Sequence, residues 1–401
     1  MSQTLLYHAF GIKGVTYRNT QVIGNALIFS VETTNRHVPC PTCGHRYCHF
    51  KGRNTRWLRM PPIGRKQAVL RVVIHRLQCA QCGNLWWPRL PFTQGNTRYT
   101  RSFAHTVLDL LRFGTIQAVA EYLCVSWDTV KEIHKNWLAA KYRAIDLGAV
   151  RYLGIDEFSL RKRHTYMTIF VDLLSGRILH AVEGTSKDAL APFLRIVAKK
   201  AKQLKAVAID MSTSYTSAVK EYLPGVPIVF DRYHVMALIN RQIDALRREQ
   251  QRHLDNEGTK TLKGSRFLLL RNYHELPDDK KGRLDDLLAA NQPLFTLHAM
   301  KEQLRLFWSQ GTADRAKSFL LNWCFDALTS GIKQLNTVGS TILASMQGLL
   351  GYYPHKITNG PLEGLNNKIK TMKRQAYGFR DMEYFKLRLY NLHNSGYAFA
   401  G

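Results

Sequence analysis

The sequence predicts a multidomain mixed α/β protein, and three observations along its 401 residues carry that expectation. The first 95 or so residues contain β-branched, partly alternating runs, "TQVIGNALIFSVET" and "QAVLRVVIHRLQC", broken by Gly and Pro in the manner of half-buried strands. From Thr100 to about Arg143 the apolar residues recur at helical spacing instead. After Val150 strand-like and helix-like segments alternate, and a long polar helical stretch follows them. The expected domains are a β-rich domain over residues 1–95, a helical domain over 96–147, and an α/β domain over 148–401 with an all-α insertion at about 236–350.

Each element has a local reason. In the helical segment Phe103, Val107, Leu110 and Leu111, then Ile116, Val119 and Ala120, then Val130, Ile133 and Trp137 mark three short amphipathic pieces. Beyond Val150, "RYLGIDEF" and "TYMTIFVDLLSGRILHAV" read as three strands, and a helix opens at the capping-box-like Thr185 to Asp188. "LKAVAID", a second helix and "VPIVFD" complete a β-β-β-α-β-α-β order. From about Val235 to Leu350 the period is helical, with Gly-Ser and Pro-Asp-Asp breaks. A last helix follows Pro361, with Leu362, Leu365, Ile369 and Met372 on one side.

Composition narrows the partners. Lys and Arg outnumber Asp and Glu 57 to 29, a formal charge of +28 spread along the chain, which points to a polyanion and above all to nucleic acid. The first residues, "MSQTLLYHAFGIKG", lack the cationic head and apolar run of a secretory signal, and no apolar run approaches the roughly 20 residues of a membrane span. The expectation is a cytoplasmic protein with no membrane partner.

Seven cysteines, four of them in two close pairs, fit a metal site better than a disulfide framework. Cys40 and Cys43 in "CPTCG" and Cys79 and Cys82 in "CAQCG" are separated by 35 residues. Two such turns can aim four thiolates at one tetrahedral Zn²⁺, and a closed four-thiolate shell is structural. Cys48, His45 and His49 lie nearby as lesser candidates, and Cys124 and Cys324 read as small core residues.

"TIQAVAEYLCVSWDTVKEIHKNW" fits a helix-turn-helix, with Ala120 as the small residue of the first helix and Cys124 in the turn, where Gly is usual. Ser126 would cap the second helix and leave Trp127, Asp128, Thr129 and Lys131 near its exposed start, where base edges are read. An ordinary helical pair that packs the β-rich domain is the plainer alternative.

Asp156 and Asp210 end strand-like runs. If those strands are neighbours, the carboxylates leave the sheet at one edge and repel unless cations separate them. A pair of Mg²⁺ (or Mn²⁺) ions roughly 3.5 to 4 Å apart would suit them, with phosphodiester chemistry as the consequence. Glu363, in "NGPLEGLNNKIK" on the last helix, is the natural third acid. Asn366, Asn367, Lys370, Lys373 and Arg374 continue from it as a polar, cationic series suited to phosphates. Glu157, Asp172 and Asp231 compete; Asp172 precedes a Leu-Leu-Ser-Gly turn and reads as its cap, while Asp231 with His234 would orient the site.

With "GIDEF", "AIDMSTSY", "FDRYHV" and "TNGPLEGLNNKIKTMKRQAYGFRD" added to the two cysteine pairs, nearly the whole chain resembles the ISL-three family of bacterial insertion-sequence transposases. The resemblance implies a ribonuclease-H-like fold interrupted by a helical insertion, Mg²⁺ dependence, and an Asp-Asp-Glu set of Asp156, Asp210 and Glu363. It implies binding to double-stranded DNA at terminal inverted repeats and at the target, with cleavage and strand transfer. A homodimer or higher assembly on paired ends, associated with the bacterial nucleoid, goes with it. Asp231 and His234 are similar to the auxiliary Asp-x-x-His element of Mutator-like transposases. Two other readings stand beside it: a zinc-containing DNA-binding regulator, which leaves the three acids without a task, and a metal-dependent nuclease on the same fold.

Overall fold

A computed structural model describes residues 3–161, 165–256, 262–358, 360–376 and 378–393. They fall into two compact units, Met1–Arg143 and Ala144–Asn394. The β-rich and helical segments share the first unit, each around its own apolar cluster.

The first unit begins with α1 (Gln3–Phe10), a helix the sequence reading did not anticipate, followed by β1 (Thr16–Ile23), β2 (Ala26–Glu32), β3 (Cys48–Ile63), β4 (Lys66–Cys79) and β5 (Leu85–Trp86). The sheet order is β1-β2-β4-β3, with β5 on β4. Two tight turns join the hairpins, and Gly24 and Gly64 take the positive φ they need. Alternation sends Leu58 and Met60 of β3 and Ala68, Leu70 and Val72 of β4 inward against Phe29 and Val31.

Helices α2 (Arg101–Leu110), α3 (Ile116–Leu123) and α4 (Trp127–Lys141) start at Thr100, Thr115 and Ser126, whose side chains each accept a backbone N–H from the first turn. Val119, Ala120, Leu123, Val130 and Ile133 close their core. Cys124 ends α3 at φ 51°, ψ 51° and is exposed, so it is not the core residue expected from its type; Cys324 is buried. A side chain in this left-handed conformation costs on the order of 1 kcal/mol that glycine avoids. Cys124→Gly should therefore raise the unfolding midpoint of this unit by a few degrees in calorimetry; a lowered midpoint would contradict the strain assigned here.

The second unit holds β6 (Tyr152–Arg161), β7 (Thr165–Asp172), β8 (Ile178–Glu183), α5 (Lys187–Lys200), β9 (Ala206–Ile209), α6 (Thr213–Tyr222) and β10 (Ile228–Phe230). The sheet runs β10-β9-β6-β7-β8, with β10, β9 and β6 parallel and β6, β7 and β8 antiparallel. Helix α5 is capped by Ser186 and not by Thr185, whose carbonyl accepts from Ser214 Oγ instead.

The described residues that follow are helical: α7 (Arg232–Asn256), α8 (Arg266–Leu270), α9 (Asp278–Ala289), α10 (Gln292–Arg305), α11 (Ala313–Thr329), α12 (Lys333–Ala344), α13 (Met346–Leu350) and α14 (Tyr352–His355), with short 3-10 turns between. They keep no separate core: Leu335, Val338, Ile342 and Leu349 join the cluster that holds Val207, Ile209 and Phe230. A Cβ at Gly348 would lie 2.4 Å from the Phe230 ring, which shows how closely α13 meets β10. Last come α15 (Gly360–Gln375) and α16 (Met382–Tyr390).

Candidate active site and metal centre

Each cysteine pair sits on a turn whose glycine, Gly44 or Gly83, has a positive φ and donates its N–H to the first cysteine's carbonyl. The β3–β4 ladder brings the pairs together. The four ligand sulfurs of Cys40, Cys43, Cys79 and Cys82 lie within 4.8 Å of one another, with Cys40 Sγ to Cys82 Sγ at 3.6 Å and Cys43 Sγ to Cys79 Sγ at 3.5 Å. Sulfurs about 2.3 Å from a tetrahedral zinc stand about 3.8 Å apart, and disulfide sulfurs about 2.0 Å. The cluster fits the metal. Cys48 lies outside it, buried, with its thiol donating to the Val38 carbonyl at 3.4 Å.

On α4, Ser126 Oγ is committed to the cap, accepting from Thr129 N at 3.2 Å and lying 2.9 Å from Thr129 Oγ1. Trp127 is exposed, and Lys131 Nζ lies 5.3 Å from its ring centroid. The expected base-reading residues thus share the first turns of one helix.

In the second unit the strand register decides which acids meet. Gly154 pairs with Ala208 and Ile209 with Phe230, so Asp156, Asp210 and Asp231 stand level. Asp210 and Asp231 directly follow the last residues of β9 and β10, whereas Asp156 lies within β6, which runs on to Arg161 against β7, and so does not end its strand as the sequence suggested. Alternation sets them on the sheet face opposite Leu153, Ile155, Val207, Ile209 and Phe230, which belong to the main core. Asp231 therefore stands in the same row as Asp156 and Asp210, after the edge strand β10. His234 Nε2 lies 3.9 Å from Asp231 Oδ2.

Asp156 and Asp231 are buried, at 9% and 8% exposure. Burial pushes the Asp156 carboxyl above its ordinary value, against the lowering by the Asn366 side chain, the Glu157 N–H and His234, and the Asp210 charge raises it further. Among the described residues no Lys or Arg pairs with Asp156 or Asp210. Buried like charges in so basic a chain need a cation, and a hard divalent ion suits carboxylate oxygens. The described acids do not by themselves gather three ligand atoms close enough to enclose one.

Helix α15 brings the remaining groups. Leu362, Leu365, Ile369 and Met372 are its buried stripe, and a Cβ on Gly154 would meet Leu362 Cδ1 at 3.2 Å, so the helix packs on β6. Glu363 lies on α15 one turn before Asn366; its side chain is outside the described residues. Asn366 Nδ2 donates to Asp156 Oδ2 at 2.8 Å, while Asp156 Oδ1 accepts from Glu157 N at 2.9 Å. Lys373, expected to face DNA, instead donates to the carbonyls of Ser159 and Leu160 at 2.6 and 2.9 Å. Asn367, Lys370 and Arg374 are exposed.

Two rivals find other work. Asp172 caps its turn, accepting from Leu174 N at 3.2 Å and Ser175 Oγ at 2.5 Å. Glu157, raised by burial and by the Asp210 charge, bonds with Tyr215, whose hydroxyl lies 3.0 Å from Thr168 Oγ1. The Asn366–Asp156 contact was missed from sequence, where the three-residue step from Glu363 was the only hint. Asn366→Ala should lower activity by about 10- to 100-fold at an unchanged unfolding midpoint, as loss of a group orienting a metal-binding carboxylate does. Wild-type turnover in that variant would remove Asn366 from the site.

A family model described as a transposase, of the Asp-Asp-Glu type, matches residues 153–389, and a model described as the helix-turn-helix domain of transposase family ISL3 matches residues 88–137. The transposase for insertion sequence element IS1001 of Bordetella parapertussis is 35% identical over 387 residues, 96% of this chain and 95% of that one. Transposases for insertion sequence element IS1557 from two Mycobacterium tuberculosis strains are 25% identical over 367 residues, 85% of this chain and 82% of theirs. A Drosophila P element transposase strand transfer complex aligns at 13% identity and a TM-score of 0.40, covering 75% of this chain and 94% of that one. The matched domains define a DNA transposase, an enzyme with a DNA-binding helix-turn-helix and an Asp-Asp-Glu-type catalytic domain. The chain belongs to the transposase family ISL3. No helix among the described residues is long and apolar enough to cross a membrane.

Proposed function

We propose that Asp156, Asp210 and Glu363 form the metal-binding catalytic set of a ribonuclease-H-like domain, within which the helices from α7 to α14 are an insertion. The observation that carries this reading is the level placement of Asp156 and Asp210 on adjacent parallel strands, with α15 joined to Asp156 through Asn366. Asp231 and His234 assist. When bound, two Mg²⁺ or Mn²⁺ ions would supply Lewis acidity toward the attacking and leaving oxygens of a phosphodiester.

The chain's own groups do the rest. Asn366 and the Glu157 N–H fix both oxygens of Asp156, so the carboxylate is presented in one orientation. Lys373 and the leucines of α15 hold that helix on β6. Asn367, Lys370 and Arg374 offer donors and charge to the phosphates beside the cut. In the first unit Trp127, Thr129 and Lys131 read the terminal inverted repeats, and zinc on Cys40, Cys43, Cys79 and Cys82 holds the sheet. The reaction is cleavage at the element's ends followed by joining of the freed 3′-hydroxyl to target DNA, carried out by a dimer or larger assembly on paired ends.

The test is an element with its inverted ends, Mg²⁺ and the wild-type protein, followed for cutting and joining. Binding without cutting would support a regulator, and cutting without joining a nuclease.

A further inference from the structure

The sheet of the first unit meets the helix-turn-helix through Arg59 of β3. Its backbone N–H donates to Arg98 at 2.8 Å, and its carbonyl accepts at 2.9 Å from Thr100 N, the residue that caps α2. Its guanidinium donates to Gln67 Oε1 at 2.6 Å and to the carbonyls of Leu123 and Cys124 at 2.6 and 3.3 Å. A cation on the last carbonyls of a helix satisfies groups that have no partner within the helix and complements its dipole. Arg59 thereby fixes the turn of the helix-turn-helix against the sheet.

The consequence is a defined neighbourhood. Asn25, Gly64 and Arg65, at the tips of the β1–β2 and β3–β4 hairpins, line one small cavity with Tyr122, Leu123 and Cys124 at the end of α3. The tips are tied together by Gln67 N donating to Asn25 O at 2.9 Å. Their sequences, "VIGNA" and "IGRKQ", contain no acid, and Arg65 and Lys66 are exposed. Trp127, the first residue of α4, follows Cys124 by three positions.

We infer that these hairpin tips form a second DNA contact, with Arg65 and Lys66 on the phosphate backbone beside the base edges that α4 reads. The inference rests on α4 being the DNA-contacting helix. Glycines at both tips allow close approach of a backbone, and contacts of this kind set the register of a recognition helix without reading sequence themselves.

The experiment compares full-length wild type, the double variant Arg65→Ala/Lys66→Ala, its swap Arg65→Lys/Lys66→Arg, and Lys131→Ala. Each is titrated onto a duplex carrying the element's terminal sequence and onto an unrelated duplex of equal length, from about 50 to about 200 mM salt. Loss of two phosphate contacts should reduce the slope of log affinity against log salt by about 1.8. Over that range the double alanine variant should lose about tenfold less affinity than wild type, equally on both duplexes, while the swap keeps the wild-type slope. A wild-type slope in the double alanine variant, with a reduced slope in Lys131→Ala, overturns the tip contact and leaves the α4 reading intact. Wild-type slopes in both, with Lys131→Ala keeping the wild-type preference for the terminal duplex over the unrelated one, overturn the α4 reading and the inference with it.

Discussion

Asp156→Ala, Asp210→Ala and Glu363→Ala are each expected to lower strand cleavage by about a thousandfold or more while DNA binding persists. A metal site supplies several kcal/mol of charge stabilisation in the transition state, and each ~1.4 kcal/mol lost is a factor of ten in rate. Asp231→Ala should cost less, about 10- to 100-fold, if it orients the site and does not hold the metal. Its position level with Asp210 makes this a sharp comparison. Equal and complete loss in Asp231→Ala with activity retained in Glu363→Ala would move the third ligand from α15 to the end of β10.

Stability supplies an independent readout. Asp156 is buried beside another acid, so in the presence of chelator Asp156→Asn removes a like-charge contact and a costly buried charge. This variant should unfold at a higher temperature than wild type while failing to cut. Such a trade of activity for stability separates a site residue from one that merely holds the fold.

The second large effect is expected from keeping zinc off the four-cysteine cluster. Metal analysis should give one zinc per chain, and chelation or Cys79→Ser should unfold the first unit and abolish DNA binding. Structural zinc contributes on the order of 10 kcal/mol or more in small domains, about the whole stability of a unit this size. Cys79 also closes the β4 end of the sheet, where it pairs with Cys48. Cys48→Ala, whose thiol serves the Val38 carbonyl, should retain the metal. In calorimetry the transition of the second unit should survive chelation, because among the described residues its core draws on none of the first. A chain that keeps its fold and its DNA affinity without metal would reduce the cysteine cluster to an ornament.

Local chemistry made much of this legible in the chain alone. The two cysteine pairs, the cap at Ser126, the β-β-β-α-β-α-β order and the stripe Leu362, Leu365, Ile369 and Met372 all follow from spacing, because turn chemistry and side-chain period act over a few residues. The turn position of Cys124, where Gly is usual, was legible in the same way, but its left-handed conformation and its exposure came only with the structure.

What the sequence determined by itself was therefore most of the elements, though not α1, and the place of Asp210 and Asp231 at the close of their strands, though Asp156 lies within β6. Only the tertiary structure decided who meets whom. Parallel register set Asp231 level with Asp210, packing of α15 on β6 gave Asn366 to Asp156 and Lys373 to two carbonyls, and Arg59 reached across the first unit to the end of α3. These partners lie from 20 to more than 200 residues apart in the chain, where no period or propensity links them; strand register aligns the two acids, and packing brings the Asn366, Lys373 and Arg59 donors within 3 Å of their acceptors.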